Sequence, residues 1–193
     1  MSRVITFSTQ FQKTHPKAGQ PTGFVQKVFD SLLFNEEITM SRYCELCRAA
    51  GIKQDLYSLR TRVLTPKHHT IRKGNRWKVG DWFSPRVWGT DINPKTGRKG
   101  PYQSKQIPFC HDIEIKKIFD IEIDACGVIS VNGAYFFDEN EEPSIEPSKK
   151  EIELAKNDGL SWEDFTNWLA MPVFRSKKPW VGQIISWSDQ IQY

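Results

Sequence analysis

Apolar residues recur at helical spacing in the first part of the chain, which predicts an amphipathic helix. The residues of this stripe are Phe24, Val25, Val28, Phe29, Leu32 and Leu33. Thr22 precedes them and is the predicted N-cap. Glu37–Ala50 predicts a second helix, which ends at Gly51. Leu56–Leu64 is ambiguous between helix and irregular structure.

Shorter apolar runs, rich in β-branched and aromatic residues, predict strands in much of the remaining chain. These runs are Val4–Phe7, Trp82–Trp88, Lys105–Pro108, Ile113–Phe119, Ile121–Ala125, Gly127–Val131, Ala134–Phe137 and Trp180–Trp187. Asn132-Gly133 predicts a hairpin turn between two of them. Ile152–Ala155 predicts a helical turn, and Ser161 predicts the N-cap of a later helix. Many short strands with few helices are typical of an α+β protein built on a small β-barrel or curled sheet.

The length of 193 residues predicts a single domain over residues 1–193. Residues 10–65 lie between the first strand and the rest of the sheet and are interpreted as a helical insertion. Residues 90–105, rich in Gly, Pro, Lys and Arg, and residues 138–150, which are acidic, are predicted to be flexible loops.

The composition predicts a globular protein, because apolar residues make up 38% of the chain and include 12 Phe and 7 Trp. No run of about 18 apolar residues is present, so the sequence predicts no membrane association and a cytoplasmic location. The four cysteines are then expected to be reduced thiols. The net charge of +4 permits nucleic acid as a partner without requiring it.

Basic residues and tryptophans alternate between Lys67 and Trp88, and this mixture suits a flat, anionic ligand such as a nucleotide. The candidate binding residues are His69, Arg72, Arg76, Trp77 and Lys78. Trp77 is the ring expected to stack on a base, and the cations are expected to hold phosphate.

Lys67 and Thr70 place an amine near a hydroxyl, which is the minimum for an activated oxygen nucleophile. In a strand the two side chains would point to opposite faces, whereas in a turn they could converge. Lys67 can act as a base only if burial or nearby cations lower its pKa. Asp158, in a turn before the Ser161 helix, is a candidate general acid, or alternatively a residue that stabilises the turn.

Cys44-x-x-Cys47 is the one pair that raises the question of a metal, since two thiolates with His68 and His69 could form a tetrahedral zinc site. The cysteines fall within a predicted helix, however, and no zinc-finger spacing links them to the histidines. The sequence therefore predicts no metal and no cofactor.

Several segments taken together resemble the ASCH domain. They are Val4–Phe7, Lys67-His68-His69-Thr70-Ile71-Arg72, Lys78-Val79-Gly80-Asp81, Asp158-Gly159 before an amphipathic helix, and Gly182–Trp187. The resemblance covers residues 1–9 and 66–190 with gaps, and leaves residues 10–65 and 90–105 unexplained. That family is similar in fold to PUA RNA-binding domains, so the resemblance implies a small PUA-like β-barrel with flanking helices around a cleft.

One branch of that family looks like an amidohydrolase that removes the acetyl group from acetylcytidine, using a lysine, a threonine and a glutamate. Carried over by motif, the lysine falls on Lys67 and the threonine on Thr70. The glutamate falls near Asp158, which is one methylene shorter and aligned more loosely. Other branches are thought to bind RNA.

Two functions therefore remain open, of which the basic residues favour the first, binding, with amide hydrolysis as the alternative. In the first, a basic cleft binds RNA or a modified nucleotide, and loop cations (Lys95, Arg98, Lys99 and Lys105) extend the footprint. In the second, Thr70 attacks the amide of a modified nucleoside such as acetylcytidine, Lys67 takes the hydroxyl proton and Asp158 protonates the leaving amine. A protein partner is a third option that no residue pattern selects.

Overall fold

The computed structural model describes residues 2–53, 63–135 and 146–193. The helices are α1 (Phe24–Phe34), α2 (Met40–Ala49), α3 (Lys149–Asn157), α4 (Trp162–Phe165) and α5 (Met171–Ser176), with a π-helical segment, Thr166–Ala170, between the last two. The strands are β1 (Arg3–Thr6), β2 (His69–Lys73), β3 (Trp82–Trp88), β4 (Gln106–Pro108), β5 (Ile113–Glu114), β6 (Lys117–Ile123), β7 (Ile129–Val131), β8 (Ala134–Tyr135) and β9 (Trp180–Ser186). None of the helices within these ranges is long and apolar enough to cross a membrane.

The strands form two sheets. In the smaller sheet β1 pairs in parallel with β3, and β3 also pairs with β4 and β5. In the larger sheet the order is β2-β9-β6-β7-β8, and every pairing is antiparallel. The predicted α+β class is confirmed. Over the described ranges the two sheets do not close into a barrel, so the PUA-like barrel stays a prediction.

The predicted strand Ile113–Phe119 is wrong as one continuous element, because the chain leaves the small sheet for the large one at its centre. Ile115 N–H donates to the Asp81 carbonyl (2.8 Å), whereas Lys116 N–H donates to the Ser186 carbonyl (2.8 Å). Residues on either side of this switch therefore belong to different sheets. This explains why the apolar positions there alternate imperfectly.

The first two helices begin slightly later than the sequence predicts. Gly23 rather than Thr22 is the N-cap of α1, although the Thr22 hydroxyl accepts from Phe24 N–H (3.3 Å) and donates to the Ser8 carbonyl (2.6 Å). Thr39 caps α2 by accepting from the backbone N–H of Arg42. Of the ambiguous segment Leu56–Leu64, residues 56–62 lie outside the described residues.

The helices of the predicted insertion belong to the main core. Phe29 and Leu32 of α1 and Tyr43 of α2 are completely buried, in one hydrophobic cluster with residues of both sheets. Phe29 also meets Phe109, which follows β4, edge to face at 5.8 Å between ring centroids. Helix α1 is therefore an integral part of the domain core, and it can position side chains against β2.

Helix α3 ends in a tight turn that comes very close to the chain before β2. Gly159 has a φ of +76°, and the following N–H, that of Leu160, donates to the Ala155 carbonyl (2.9 Å). A Cβ at position 159 would lie 3.1 Å from Lys67 Cβ and 3.2 Å from Lys27 Cδ. Glycine is needed here both for its backbone conformation and for the close approach of two lysine stems.

We expect Gly159→Ala to destabilise the protein by about 2–3 kcal/mol, since it combines left-handed strain with crowding. Gly51→Ala is the matched control. Gly51 also follows a helix C-terminus, with a φ of +68°, but a Cβ there meets no atom of the described residues within 4 Å. Its expected cost is about 1 kcal/mol, from strain alone. Urea unfolding of both variants measures the difference, and equal costs would contradict the role of the close contact.

Candidate functional site

A small cavity of about 60 Å³ lies where β1, β2, α1, the C-terminus of α3 and the π-helical segment meet. The side chains and backbone that line it come from Thr6, Phe7, Ser8, Phe24, Lys67, Thr70, Ile71, Arg72, Asp158, Trp168 and Leu169. Four of these, namely Lys67, Thr70, Arg72 and Asp158, are candidate site residues from the sequence. The volume corresponds to roughly four water molecules, so the cavity suits a small polar group.

The main chain at Lys67 is fixed by two separate helices. Lys67 N–H donates to the Lys27 carbonyl of α1 (2.9 Å), and His68 N–H donates to the Asn157 carbonyl at the end of α3 (2.8 Å). These bonds hold Lys67 outside strand β2, which begins at His69. The strict alternation of a strand therefore does not apply between Lys67 and Thr70, and both residues line the same cavity.

The Lys67 side chain is 1% exposed and ends in an ion pair with Asp158. Its Nζ lies 2.5 Å from Asp158 Oδ1, and it also donates to the Asp158 backbone carbonyl. The Phe24 ring lies beneath the same nitrogen, 4.4 Å from Nζ to the ring centroid. The charge is thus held by a carboxylate, a carbonyl and an aromatic face.

Burial lowers the pKa of Lys67 to about 8, even though the Asp158 carboxylate acts in the opposite direction. Burial on its own would raise the pKa of Asp158, but the Lys67 ammonium beside it brings that pKa below its ordinary value. Near neutral pH, Asp158 is therefore a carboxylate, and Lys67 can lose its proton far more readily than an exposed lysine.

Thr70 supplies the hydroxyl of the site. It lies in β2 opposite Ile185 of β9, and it is 2% exposed. Thr70 and Arg72 lie on the same face of the strand. Within the described residues the Thr70 side chain has no hydrogen-bond partner that would fix its hydroxyl, so this group is available to a molecule in the cavity.

Arg72 contributes positive charge to the same cavity. Its guanidinium donates to the Thr6 carbonyl (2.7 Å) and to its own neighbour's carbonyl, that of Ile71 (3.0 Å). The group also packs 5.7 Å from the centroid of the Phe7 ring. These contacts join β2 to the end of β1, so Arg72 acts as a brace as well as a local source of positive potential.

His69 is buried behind the cavity and does not line it. Its Nδ1 lies 3.6 Å from Asp158 Oδ1, which is longer than a hydrogen bond, and its ring meets Tyr193 edge to face. Burial lowers the pKa of His69, so the imidazole is neutral. The prediction that His69 contacts a ligand is therefore corrected, because its ring lies behind the Asp158 carboxylate.

The other three predicted binding residues lie away from the cavity. Trp77 is 3% exposed, and its backbone is tied to Gln183 of β9 by two hydrogen bonds, of 3.0 and 3.3 Å. Its ring packs in the core against Phe83, so the predicted stacking of a base on Trp77 is corrected. Arg76 and Lys78 are exposed on the turn between β2 and β3 and do not line the cavity.

Two aromatic walls of the cavity were not predicted as site residues. Phe24 begins α1, and Trp168 lies in the π-helical segment, with 5.8 Å between the centroids of their rings. Trp168 also meets Phe11 at 5.7 Å. The sequence places Trp168 on the apolar stripe of a helix. The extra residue of a π-turn, which shifts the direction of side chains and often occurs at functional sites, has no sequence signal.

The cysteine pair considered for zinc lies on α2, where Cys47 is buried and Cys44 is half-buried. In the part of the chain that the structure describes, no group of three or more His, Cys, Asp or Glu side chains could hold a metal ion.

Known proteins offer no direct guide to this site. No family model, curated protein or solved structure matches the chain.

We expect Asp158→Asn to destabilise the protein most at pH 6 to 7, because it leaves the Lys67 ammonium buried without a counterion. The loss should shrink as the pH rises through about 8, where Lys67 of the unmodified protein also becomes neutral. Denaturant unfolding at pH 6, 7, 8 and 9 tests the trend. A loss that stays constant over this range would show that the pair is not charged in the folded protein.

Proposed function

We propose that the protein is an amidohydrolase that cleaves a small acyl amide, such as the acetyl amide of a modified nucleoside. The observation that carries the proposal is the shared cavity of Lys67 and Thr70, with the Asp158 carboxylate 2.5 Å from the lysine nitrogen. A base of lowered pKa beside a hydroxyl is the arrangement that activates an oxygen nucleophile. The resemblance to the acetylcytidine branch of the ASCH family agrees with this assignment.

The first half of the reaction forms an ester. Neutral Lys67 takes the proton of the Thr70 hydroxyl while the oxygen attacks the acyl carbon. Lys67, now an ammonium, gives the proton to the leaving amine as the carbon–nitrogen bond breaks. Positive charge from Arg72 favours the oxyanion formed in between. In the second half, a water gives a proton to Lys67 and attacks the ester carbon. The bond to Thr70 Oγ1 then breaks, Lys67 returns the proton to that oxygen, and the acid leaves.

Asp158 has a different role in this scheme from the general acid expected from the sequence. Its lowered pKa keeps it ionised, so it has no proton to give to the leaving amine. The carboxylate instead orients Lys67 and stabilises the ammonium that forms during each half-reaction. The one methylene that separates aspartate from glutamate is compensated by the close approach of the turn at Gly159 to the stem of Lys67.

The volume of the cavity limits what can enter it. A cavity of about 60 Å³ is several times smaller than the roughly 300–1,000 Å³ of a pocket that encloses a whole ligand. It accommodates an acyl group and its amide, while the rest of the substrate stays outside it. A site of this size favours hydrolysis of a small group over capture of a polynucleotide, for which an open groove is required. Binding of RNA or a nucleotide in this cleft is the weaker proposal, since Arg76, Trp77 and Lys78 lie elsewhere.

Removing the nucleophile should abolish turnover without unfolding the protein. We expect Thr70→Val to lower kcat for acetylcytidine by about a thousandfold or more, because it replaces the hydroxyl with a methyl group of similar size. Thr70→Ser is the matched control and should keep measurable activity and form a covalent acyl adduct, detectable by mass spectrometry after rapid quenching. Full activity in Thr70→Val would exclude Thr70 as the nucleophile.

The pH dependence should report the lysine. Because the neutral amine is the base, kcat/KM should rise with pH and level off above about 8, the pKa of Lys67 in the free protein. Lys67→Arg, which cannot lose its proton near neutral pH, should remove both the activity and the inflection. A profile that falls with rising pH between 6 and 8 would contradict Lys67 as the base.

A further inference from the structure

A second concave surface lies on the loop between β3 and β4, here called the finger loop (residues 89–105). The space beside it is about 450 Å³, much larger than the cavity at Lys67, and it is open to solvent. Its lining includes Ile92, Asn93, Pro94, Lys95, Gln103 and Lys105. An open surface of this size suits an extended ligand that lies across it.

The finger loop is held together by its own hydrogen bonds, although it contains no helix or strand. Asn93 N–H donates to the Arg98 carbonyl (2.7 Å), and the Asn93 side chain donates to the Gln103 carbonyl (3.0 Å). Ser104 Oγ donates to the Gly89 carbonyl (2.6 Å) and closes the base of the loop. The concave surface is thus a product of specific contacts within the loop.

Four cations accompany this surface. Lys95 and Lys105 line it, and Arg98 and Lys99 lie in the same loop. Asp91 also lines the surface and offsets part of the charge. None of the four cations lies within ion-pair distance of a carboxylate of the described residues, so their charge is left to a partner.

The same loop carries an exposed aromatic ring in an unusual backbone conformation. Tyr102 is 87% exposed and has a φ of +64°, in the left-handed region that bulky side chains rarely adopt. Its ring lies 5.3 Å from that of Trp88, the last residue of β3. The ring is thus exposed, packed against Trp88, and carried by a strained backbone, and strain of this kind is common at ligand-binding sites.

We propose that the finger loop binds single-stranded nucleic acid, with the phosphates on its lysine and arginine side chains and one base on Tyr102. The combination of free cations, an exposed π-face and apolar groups from Ile92 and Pro94 matches the chemistry of an unpaired strand. A duplex hides its bases from such a ring. This site is separate from the proposed hydrolase cavity, and it places polynucleotide binding on a surface outside the cleft.

The loop also has a defined relation to that cavity. Strand β3 carries the loop and pairs with β1, with Thr6 opposite Arg86, and Phe7 N–H donates to the Arg86 carbonyl (2.8 Å). Thr6 and Phe7 line the cavity at Lys67. A nucleic-acid strand bound by the finger loop is therefore attached to the same sheet whose β1 strand contributes to the wall of the cavity.

The test is fluorescence anisotropy of the full chain with labelled oligouridylate and oligothymidylate of about ten nucleotides, and with a duplex of the same length. We expect both single strands to bind better than the duplex. The logarithm of affinity should fall with the logarithm of salt concentration with a slope of about −3, as four cations acting on a single strand require. The RNA and DNA arms distinguish a sugar-specific site from one that recognises any unpaired strand.

Variants distinguish binding by the finger loop from binding by the general positive charge of the protein. Replacing Lys95, Arg98, Lys99 and Lys105 together with alanine should abolish salt-dependent binding. Two double variants provide the charge-matched comparison. Replacing Lys95 and Lys105 with alanine should weaken binding, whereas replacing Lys149 and Lys150 of α3 with alanine should change affinity little. Tyr102→Gly removes the backbone strain, so it should preserve or raise thermal stability while weakening binding about tenfold. Tyr102→Phe keeps an aromatic ring and should therefore keep the binding.

The outcome is independent of the hydrolase proposal, because Thr70→Val should bind oligonucleotides as the unmodified chain does, and the loop variants should still hydrolyse acetylcytidine. Absence of binding at about 50 mM salt would overturn the finger-loop proposal. Equal losses in the Lys95 and Lys105 variant and in the α3 control would overturn it too. Preference for a duplex, or for an acidic polypeptide over the oligonucleotides, would have the same consequence.

Discussion

The structure of the site depends on the burial of one opposite-charge pair, Lys67 and Asp158. Neither group tolerates the interior alone, since an unpaired buried charge costs several kcal/mol. Paired, they let the fold keep an amine and a carboxylate in the interior, beside a cavity of only about 60 Å³. The lowered pKa of the lysine follows from the same burial, so the constraint that shapes the packing also gives the group its chemical reactivity.

Much of the secondary structure was predictable from the sequence because hydrophobic spacing and turn residues act locally. The strand Trp82–Trp88, the Asn132-Gly133 turn and the cap at Ser161 are all present as predicted. The switch between sheets at Ile115 and Lys116 was not predictable, because the partner of each half of that segment depends on distant residues. Pairing between sheets leaves little trace in a local window.

The residues of the candidate site were likewise predictable only in part. A lysine, a threonine and an aspartate were identified from motif and chemistry, and the structure brings all three to one cavity. Trp77 was misjudged because an aromatic residue between cations looks the same in sequence whether its ring is buried or open. Trp168 was not predicted because it lies in a π-helical segment, which has no sequence signal, and because a tryptophan on an apolar stripe is typical of a core residue.

The hydrogen bonds that hold Lys67 have a consequence for the order of folding. The residues that position it lie far apart in the chain: Lys67 and Asp158 are separated by 91 positions, and Lys27 reaches Gly159 across 132. The burial that lowers the pKa of Lys67 therefore exists only after segments from both halves of the chain have met. Until then, an incomplete chain carries an ordinary, fully protonated amine at this position.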